Sequence, residues 1–484
     1  MTIFRSGRTC SLPPCGGESA PWKIHETAWT SSGFPLDCRR LAAQSAEGRN
    51  SSREGAAIEN ATQIILLAPA GRKKIFLYLG ALVFLLAFGD PNGGLMDVSI
   101  SFMLKNKLHL TAQEMARFRL FVALPLYFAG FFGFLRDRFD PFGMKDRGFL
   151  VLFGLFGASL YLVFAFLPVS PHRLLIALPL LTCAFLMLSS ALNGLASSLG
   201  QQHAMSGRIS ALWNSFVALP GVAAFLAGGW VSDRLEALGL NEAARLLFLG
   251  GAAILSAVAL YGFLRPKAVF DNLAEERPET TPVLDDLGRL LRHRPIHPAL
   301  AIWLLWNFAP GAQTPLQYYL QNALQAPDSI WGAWNAIFAA SFLPPFLLYA
   351  FLCRRIALKS LLAWGTLAAI PQFTPLLFVH DARGALLAAA PMGLMGGIAT
   401  AAYIDLLIRS CPPGLQGTTL MLSSGLYYVA SRFGDVLGTG VYQAFGGFAV
   451  CVAMITAVYA MILPLVLLVP GKLISYADGQ VPQG

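Results

Sequence analysis

The feature that most constrains this chain is a series of apolar stretches, each long enough to cross a lipid bilayer. A membrane-spanning helix needs about 20 consecutive, mostly apolar residues. About twelve stretches after Arg72 meet this criterion. We therefore predict an all-α integral membrane protein with spans at 74–104, 112–135, 148–167, 174–199, 206–231, 243–264, 297–320, 335–352, 358–378, 382–408, 418–442 and 448–469.

The composition agrees with a chain that lies mostly in lipid. Hydrophobic residues make up 56% of it and charged residues 13%, whereas about 25% of a soluble domain is charged. The net charge of +9 could indicate nucleic-acid binding, but the Lys and Arg residues lie mainly in the amino-terminal tail and between the apolar stretches. We therefore expect a bilayer, and no nucleic acid, as a partner. The seven cysteines lack disulfide or metal-site spacing, and we expect no metal site.

Two polar regions divide the chain. Residues 1–71 are rich in Ser, Gly, Arg and Pro, and we predict a disordered cytoplasmic tail there, or a misassigned translation start. Residues 265–296 are predicted to be a central cytoplasmic loop, in which 283–291 could form a surface helix. Six spans precede this loop in the amino half, 72–264, and six follow it in the carboxy half, 297–470. A cytoplasmic tail at 471–484 is predicted to end the chain.

The basic residues predict the orientation of the spans. If the amino terminus is inside, the inner loops carry about threefold more Lys and Arg than the outer loops, as the positive-inside rule requires. We therefore predict a multi-pass protein of the cytoplasmic membrane with both termini in the cytoplasm.

The two halves repeat each other. Each begins with a span interrupted by Pro and Gly and followed by Leu-x-Asn-x-Leu, at 104–108 and 320–324. A Leu-Pro step follows, at 124–125 and 343–344, and then a basic turn, "GFLRDR" (133–138) or "AFLCRR" (350–355). The common order predicts a duplicated six-span unit. Interrupted helices at equivalent places in two halves are typical of transporters with a site near the middle of the membrane.

A charged turn, "GFLRDRFDPFGMKDRG" (133–148), joins the second and third predicted spans. Orientation requires only Lys and Arg, so the interleaved acids favour a gate over simple anchoring. In such a gate, charge pairs and an Asp near a helix terminus of the other half hold the inner face closed. Asp405 and Arg409, four residues apart, could form a second gate, or Arg409 could extend to the membrane surface. The candidate gate residues are Gly133, Asp137, Arg138, Gly143, Lys145, Arg147, Asp405 and Arg409.

Charged residues inside the spans are candidates for the substrate or ion pathway. A carboxylate in mid-membrane is costly and is functional by default. Asp90 and Asp97 could bind a proton, a cation or a basic group, although Asp90 could instead contact water or cap the broken helix. Arg432 and Asp435, three apart on one helix face, could neutralise each other, or Arg432 could bind an anionic substrate.

Polar and aromatic side chains in the spans could line a cavity, although each alone is more often an interhelical contact. The candidates are Asn193, Trp213, Asn214, Asn307, Gln313, Gln317, Tyr318, Gln372 and Tyr403. The Gly434-x-x-x-Gly438 step predicts close helix packing.

Two quoted segments carry a family resemblance that covers residues 72–470. "GFLRDRFDPFGMKDRGFLVL" resembles the loop between the second and third helices of the major facilitator superfamily, with Gly133, Asp137, Arg138, Gly143, Lys145 and Arg147 in matching places. Its "FDPFG" insertion and "DLLIRSCPPGLQGTTLML" (405–422) are similar to the folate-biopterin transporter branch. The resemblance implies twelve transmembrane helices in two pseudo-symmetric six-helix bundles, and alternating access by rocking.

The leading function hypothesis is secondary active transport, because the chain has no GxxxxGK[ST] loop for ATP. Buried carboxylates make proton symport one option, with sodium or no coupling as others. The resemblance implies a small organic solute, with an anionic pterin or folate among the candidates. We expect a monomer without a cofactor and without enzymatic activity. The alternatives are a non-transporting membrane sensor and a membrane-embedded lipid-modifying enzyme.

Overall fold

All regular structure in the described part of the chain is helical. The computed structural model describes residues 69–92, 96, 99–100, 103–110, 118, 121–236, 238–270, 283–326, 328–445 and 447–480, which belong to one compact unit, Thr62–Gly484. The predicted tail lies outside the described residues except for 69–71, which begin the first helix slightly before the predicted boundary at 72. The division into halves at 264 and 297 stays a prediction.

The described helices of the amino half follow the predicted spans. They are α1 (Pro69–Gly89), α2 (Leu124–Tyr127), α3 (Ala129–Arg138), α4 (Asp146–Phe166), α5 (Pro171–Gln202), α6 (Ser206–Glu236), α7 (Leu240–Phe263) and the short α8 (Lys267–Phe270). A π-helical turn lies at Met103–Lys107 and a 3-10 turn at Pro141–Gly143.

The central loop and the carboxy half are also helical where they are described. Their helices are α9 (Val283–Arg292), α10 (Ile296–Asn307), α11 (Thr314–Tyr318), α12 (Asp328–Ser341), α13 (Leu343–Leu352), α14 (Leu358–Ala369), α15 (Ala382–Ser410), α16 (Gln416–Phe445), α17 (Phe448–Ala460), α18 (Ile462–Leu468) and α19 (Gly471–Ile474). A π-helical turn lies at Tyr319–Ala323 and a 3-10 turn at Thr374–Phe378.

Seven segments of the described chain are long and apolar enough to cross a bilayer. They are Asp146–Phe166, Pro171–Gln202, Leu240–Phe263, Ile330–Leu352, Leu358–Phe378, Ala382–Ser410 and Phe448–Leu467. Large apolar side chains on their outer surfaces, such as Leu387 and Leu467, each 77% exposed, would be costly in water and suit a lipid environment.

The predicted breaks lie at corresponding places in the two halves. Helix α1 ends at Gly89, before Asp90-Pro91, and α10 ends at Asn307, before a turn that leads into α11. Each break is followed by a π-helical turn over the Leu-x-Asn-x-Leu pattern. Because π-helical turns are rare and frequently mark functional sites, their recurrence supports the internal repeat.

The Gly434-x-x-x-Gly438 step packs α16 against the break after α10, which confirms the predicted close approach. A Cβ atom at 434 would lie 3.2 Å from the backbone nitrogen of Ala309. At 438 it would overlap the backbone nitrogen of Gly311, whose φ of +110° itself requires glycine. Two helical glycines therefore fix the distance between α16 and the interrupted helix.

The packing predicts the effect of a methyl group at this contact. In Gly438→Ala, overlap with backbone atoms should lower the free energy of unfolding by about 1–3 kcal/mol. Thermal denaturation in detergent, followed by tryptophan fluorescence, should show the loss. Gly440→Ala, on the same helix but with open space around it, is the matched control. Equal melting temperatures for the two variants would contradict the packing argument.

Candidate functional site

The charged turn after α3 folds into a buried network centred on Arg136. Its Nε donates to Asp146 Oδ1 at 2.6 Å, and its Nη1 donates to Asp137 Oδ1 at 2.7 Å. All three side chains are buried. A buried cation between two carboxylates is tolerable because each charge has a partner. Sequence reasoning did not select Arg136, although it lies inside the quoted motif.

Asp137 uses its carboxylate to cap a helix of the carboxy half. Its Oδ1 accepts from the backbone N–H of Gly417 at 3.1 Å, and its Oδ2 accepts from the backbone N–H and the hydroxyl of Thr418 at 2.6 and 2.7 Å. These groups lie in the first turn of α16, where backbone N–H groups have no intrahelical acceptor and the helix dipole favours an anion. One carboxylate thus joins the amino half to the carboxy half.

Glycines permit this close approach. A Cβ atom on Gly133 would lie 2.7 Å from the carbonyl carbon of Gly417, and one on Gly417 would lie 2.7 Å from Asp137 Oδ1. Gly143 has a different role, because its φ of +65° is a conformation that L side chains rarely adopt. Gly133 therefore permits close contact between the halves, and Gly143 permits the backbone conformation of the turn.

The remaining basic residues of the motif point to different partners. Arg138 lies 3.7 Å from Asp286 of the central-loop helix α9. Arg147 donates to the carbonyls of Gly262 and Phe263 at the end of α7, so it secures contacts within the amino half. The backbone N–H of Lys145 donates to Asp140 Oδ1 within the turn.

A second buried network lies around Asp405 and Arg409. Arg409 Nε donates to Asp405 Oδ1 at 2.8 Å and to Ser206 Oγ, at the start of α6, at 3.0 Å. The hydroxyl of Tyr349 donates to Asp405 Oδ2 at 2.8 Å. Asp405 is fully buried and Arg409 is 9% exposed. The suggestion that Arg409 extends to the membrane surface is therefore wrong, because its guanidinium is held between the halves.

Both networks lie at the same end of the helices, where α3, α13 and α15 finish and α6 and α16 begin. We call this end the basic face. Gln201, at the end of α5, adds bonds from its side-chain amide to the carbonyls of Ile408 and Cys411. Several hydrogen bonds thus join the halves at the basic face.

Hydrogen bonds near the two helix breaks join helices of the same half. In the amino half, the side-chain amide of Asn92 donates to Thr182 Oγ1 at 2.7 Å. In the carboxy half, Asp435 accepts from the backbone N–H and the hydroxyl of Thr314, each at 2.8 Å. Gln313 donates to Ser431 Oγ at 3.0 Å.

A cavity of about 90 Å³ lies between the halves. Trp213 and Trp303 supply indole rings, and Asn193 and two serines supply polar groups. The lining residues are Asn193, Ala196, Ile209, Trp213, Trp303, Ile404, Leu407, Ile408, Leu420, Ser423 and Ser424. Trp303 was not selected from the sequence, where one more apolar residue in a span carries no distinguishing signal.

The other uncharged candidates lie outside this lining. The side-chain amides of Asn214 and Asn307 donate to helix carbonyls four residues earlier. The hydroxyl of Tyr403 lies 2.7 Å from that of Thr366, and its ring packs against Trp306 within the carboxy half. Gln317 is half-buried and Tyr318 is exposed on α11, while Gln372 is buried.

The described charged residues that the sequence suggested for the pathway also lie outside the cavity lining. Asp90 Oδ1 accepts from the backbone N–H of Asn92 at 2.9 Å and so caps the turn after α1. Asp97 lies outside the described residues. Arg432 and Asp435 do not pair in the described structure, because Asp435 faces Thr314 at the start of α11 while Arg432 is exposed. The suggestion of a neutralising intrahelical pair is therefore wrong.

The helical architecture with two halves joined at one end defines a transporter fold. The Escherichia coli fucose:proton symporter FucP superposes with a TM-score of 0.63 at 17% identity, over 82% of this chain and 98% of that chain. The human organic anion transporter MFSD10 superposes with a TM-score of 0.53 at 17% identity, over 83% and 100%. This similarity shows the major facilitator superfamily fold, and the all-helical described chain is consistent with its twelve helices in two bundles.

The sequence places the chain within this fold class. The BT1 family profile matches residues 92–386, and the chain belongs to the BT1 family. The folate-biopterin transporter of Synechocystis sp. is 22% identical over 362 residues, which cover 72% of this chain and 71% of that protein. The chain is thus a membrane transporter of the major facilitator superfamily that resembles the folate-biopterin branch.

The geometry of Asp137 predicts a stability effect. Asp137→Asn removes the anionic acceptor at α16 and leaves Arg136 with one carboxylate, so the free energy of unfolding should fall by about 1–3 kcal/mol. The measurement is the melting temperature in detergent. Asp285→Asn, at an exposed carboxylate on α9, is the matched control. An equal change in both variants would show that the buried contacts contribute nothing specific.

Proposed function

We propose that this protein is a secondary active transporter of a small, flat, anionic organic solute such as a pterin or folate. The observation that carries the proposal is the cavity between the halves, with two indole rings, one amide and two serines in its lining. Indole faces stack on planar rings, and amides and hydroxyls bond to the edges of heterocycles. The name of the Synechocystis relative points to the same class of solute.

The small cavity supports alternating access. A cavity of about 90 Å³ is smaller than the roughly 300–1,000 Å³ of small-molecule sites, which fits halves that separate before a bicyclic solute enters. Contacts across the halves are present at the basic face, in the networks of Asp137 and Arg409. We propose that this structure is a state closed at the basic face, which is cytoplasmic by the positive-inside rule. Asp137 and Arg409 would then act as gates that open in the other state.

Arg432 is the proposed partner of the anionic group. Ser424, Tyr428 and Arg432 are spaced by four residues on α16 and therefore lie along one face of the helix. Ser424 lines the cavity, and Arg432 lies about 12 Å further along the helix. A solute with its ring at Trp303 could extend a carboxylate to this arginine.

Asp90 is the proposed coupling carboxylate. It follows the break after α1, where its Oδ1 accepts from the backbone N–H of Asn92. A carboxylate at a helix break can exchange a proton as the halves move. We therefore propose proton symport, with the basic face of the protein in the cytoplasm.

Uptake into proteoliposomes tests the proposal. Radiolabelled folate or biopterin should accumulate when the outside is made acidic, and an uncoupler should abolish accumulation. Asp90→Asn should remove the pH effect while leaving exchange of solute. Binding without flux would favour the sensor, and turnover of a lipid would favour the enzyme. Failure of every pterin to bind would contradict the proposed solute.

Trp303 provides the prediction specific to the cavity. Trp303→Ala removes one stacking surface and should raise KM for uptake by about tenfold, the effect of losing about 1.4 kcal/mol of binding. Trp364→Ala is the matched control, because Trp364 is 71% exposed on the outer surface of α14. An unchanged KM in Trp303→Ala would place the binding site elsewhere.

A further inference from the structure

The segment after α18 is packed into the basic face. Residues 471–480 contain the short helix α19 and a turn, and Ile474, Ala477 and Asp478 are buried. The sequence suggested only a cytoplasmic tail in this region. Burial of a carboxylate six residues before the end of the chain requires specific partners, because an isolated buried charge is costly.

Asp478 has partners from both halves. Its Oδ2 lies 2.6 Å from Arg208 Nε, and its Oδ1 accepts from the backbone N–H of Gly207 at 3.2 Å; both partners belong to the first turn of α6. Its own backbone N–H donates to the carbonyl of Cys353, just after α13, at 2.8 Å. The segment therefore joins the start of α6 in the amino half to the end of α13 in the carboxy half.

Arg409 also holds this segment. Its Nη1 donates to the carbonyls of Leu473 and Tyr476 at 3.3 and 3.1 Å, and its guanidinium lies 4.8 Å from the ring centroid of Tyr476. The same guanidinium pairs with Asp405 and Ser206. The segment and the second network at the basic face thus share one cation.

The internal repeat explains why such a segment is needed. In the aligned turns "GFLRDR" and "AFLCRR", Asp137 corresponds to Arg354, so the turn of the carboxy half has no acid at the position that would cap α6. The start of α6, Ser206-Gly207, matches the start of α16, Gln416-Gly417. Asp137 Oδ1 accepts from the backbone N–H of Gly417, and Asp478 Oδ1 accepts from the backbone N–H of Gly207.

The surrounding contacts repeat as well. A Cβ atom on Gly417 would lie 2.9 Å from Arg136 Cδ, and one on Gly207 would lie 2.8 Å from Cys353 Cβ. Cys353 corresponds to Arg136 in the aligned turns. The approach of helix to turn is therefore similar at the two sites. The second carboxylate oxygen differs, because Asp137 Oδ2 accepts from Thr418 whereas Asp478 Oδ2 pairs with Arg208.

We propose that residues 471–480 are a second latch of the basic face, in which Asp478 caps α6 as Asp137 caps α16, and that this segment undocks when the face opens. This inference rests on the proposed function in one respect, that the basic face opens during the cycle. The contacts of Asp478 with Gly207 of α6 and with Cys353 after α13 place the segment where it would have to release both halves.

Distance measurements without solute test the latch. Spin labels replacing Phe142 and Lys359, both exposed at the basic face, report the separation of the halves. Asp478→Ala should raise the ratio of long to short distances by about tenfold, the change expected from losing one charge-assisted contact. Truncation after Pro470 should raise it at least as much.

Two controls keep every contact of the latch. Lys472→Gln changes an exposed side chain of the segment, and truncation after Gln480 leaves residues 471–480 in place. Both should give the distances of the unaltered protein. The latch is refuted if Asp478→Ala matches Lys472→Gln, whether or not the longer truncation can be purified. Because no solute is added, a failure to find uptake would leave this result unaffected.

Discussion

The contact on which the rest of this structure depends is the carboxylate of Asp137 at the amino terminus of α16. A helix begins with backbone N–H groups that have no partner in the helix, and the partial positive charge there attracts an anion. When that anion comes from the other half, the cap becomes a link between two bodies. Gly133 and Gly417 allow the link by leaving no Cβ between the backbones. Arg136 and Asp146 then neutralise what would otherwise be an isolated buried charge.

The same physics operates on the other side of the internal repeat with different residues. Ser206 and Gly207 begin α6 as Gln416 and Gly417 begin α16, and Asp478 accepts from the backbone N–H of Gly207. Arg409 donates to the hydroxyl of Ser206. In the proposed cycle, two linked caps hold the face closed and release it when each helix terminus exchanges a carboxylate for water. The cavity lies between the halves, so opening of the face and access to the indole rings are coupled in the proposed cycle.

Much of this organisation could be predicted from local sequence. Apolar length predicts the helices, Pro and Gly predict their interruptions, and the order of motifs predicts the repeat. The placement of Asp137 at a helix terminus of the other half was expected because its motif mixes acids with bases. The partners of Asp405 and Arg409 were only partly foreseen, since their spacing predicts one ion pair but says nothing about Ser206 or Tyr349.

Apolar length and repeated motifs were enough to predict a membrane protein built from a duplicated set of helices, because a chain in a bilayer must satisfy its backbone hydrogen bonds within helices of a set length. Which polar groups meet depends on how those helices pack. Asp435 caps α11 and does not pair with Arg432, although helical spacing allowed that pair. Asp478, separated from Gly207 by most of the chain, lies beside it because folding brings the end of the chain to the basic face. Contacts between residues so distant in sequence have no local signal.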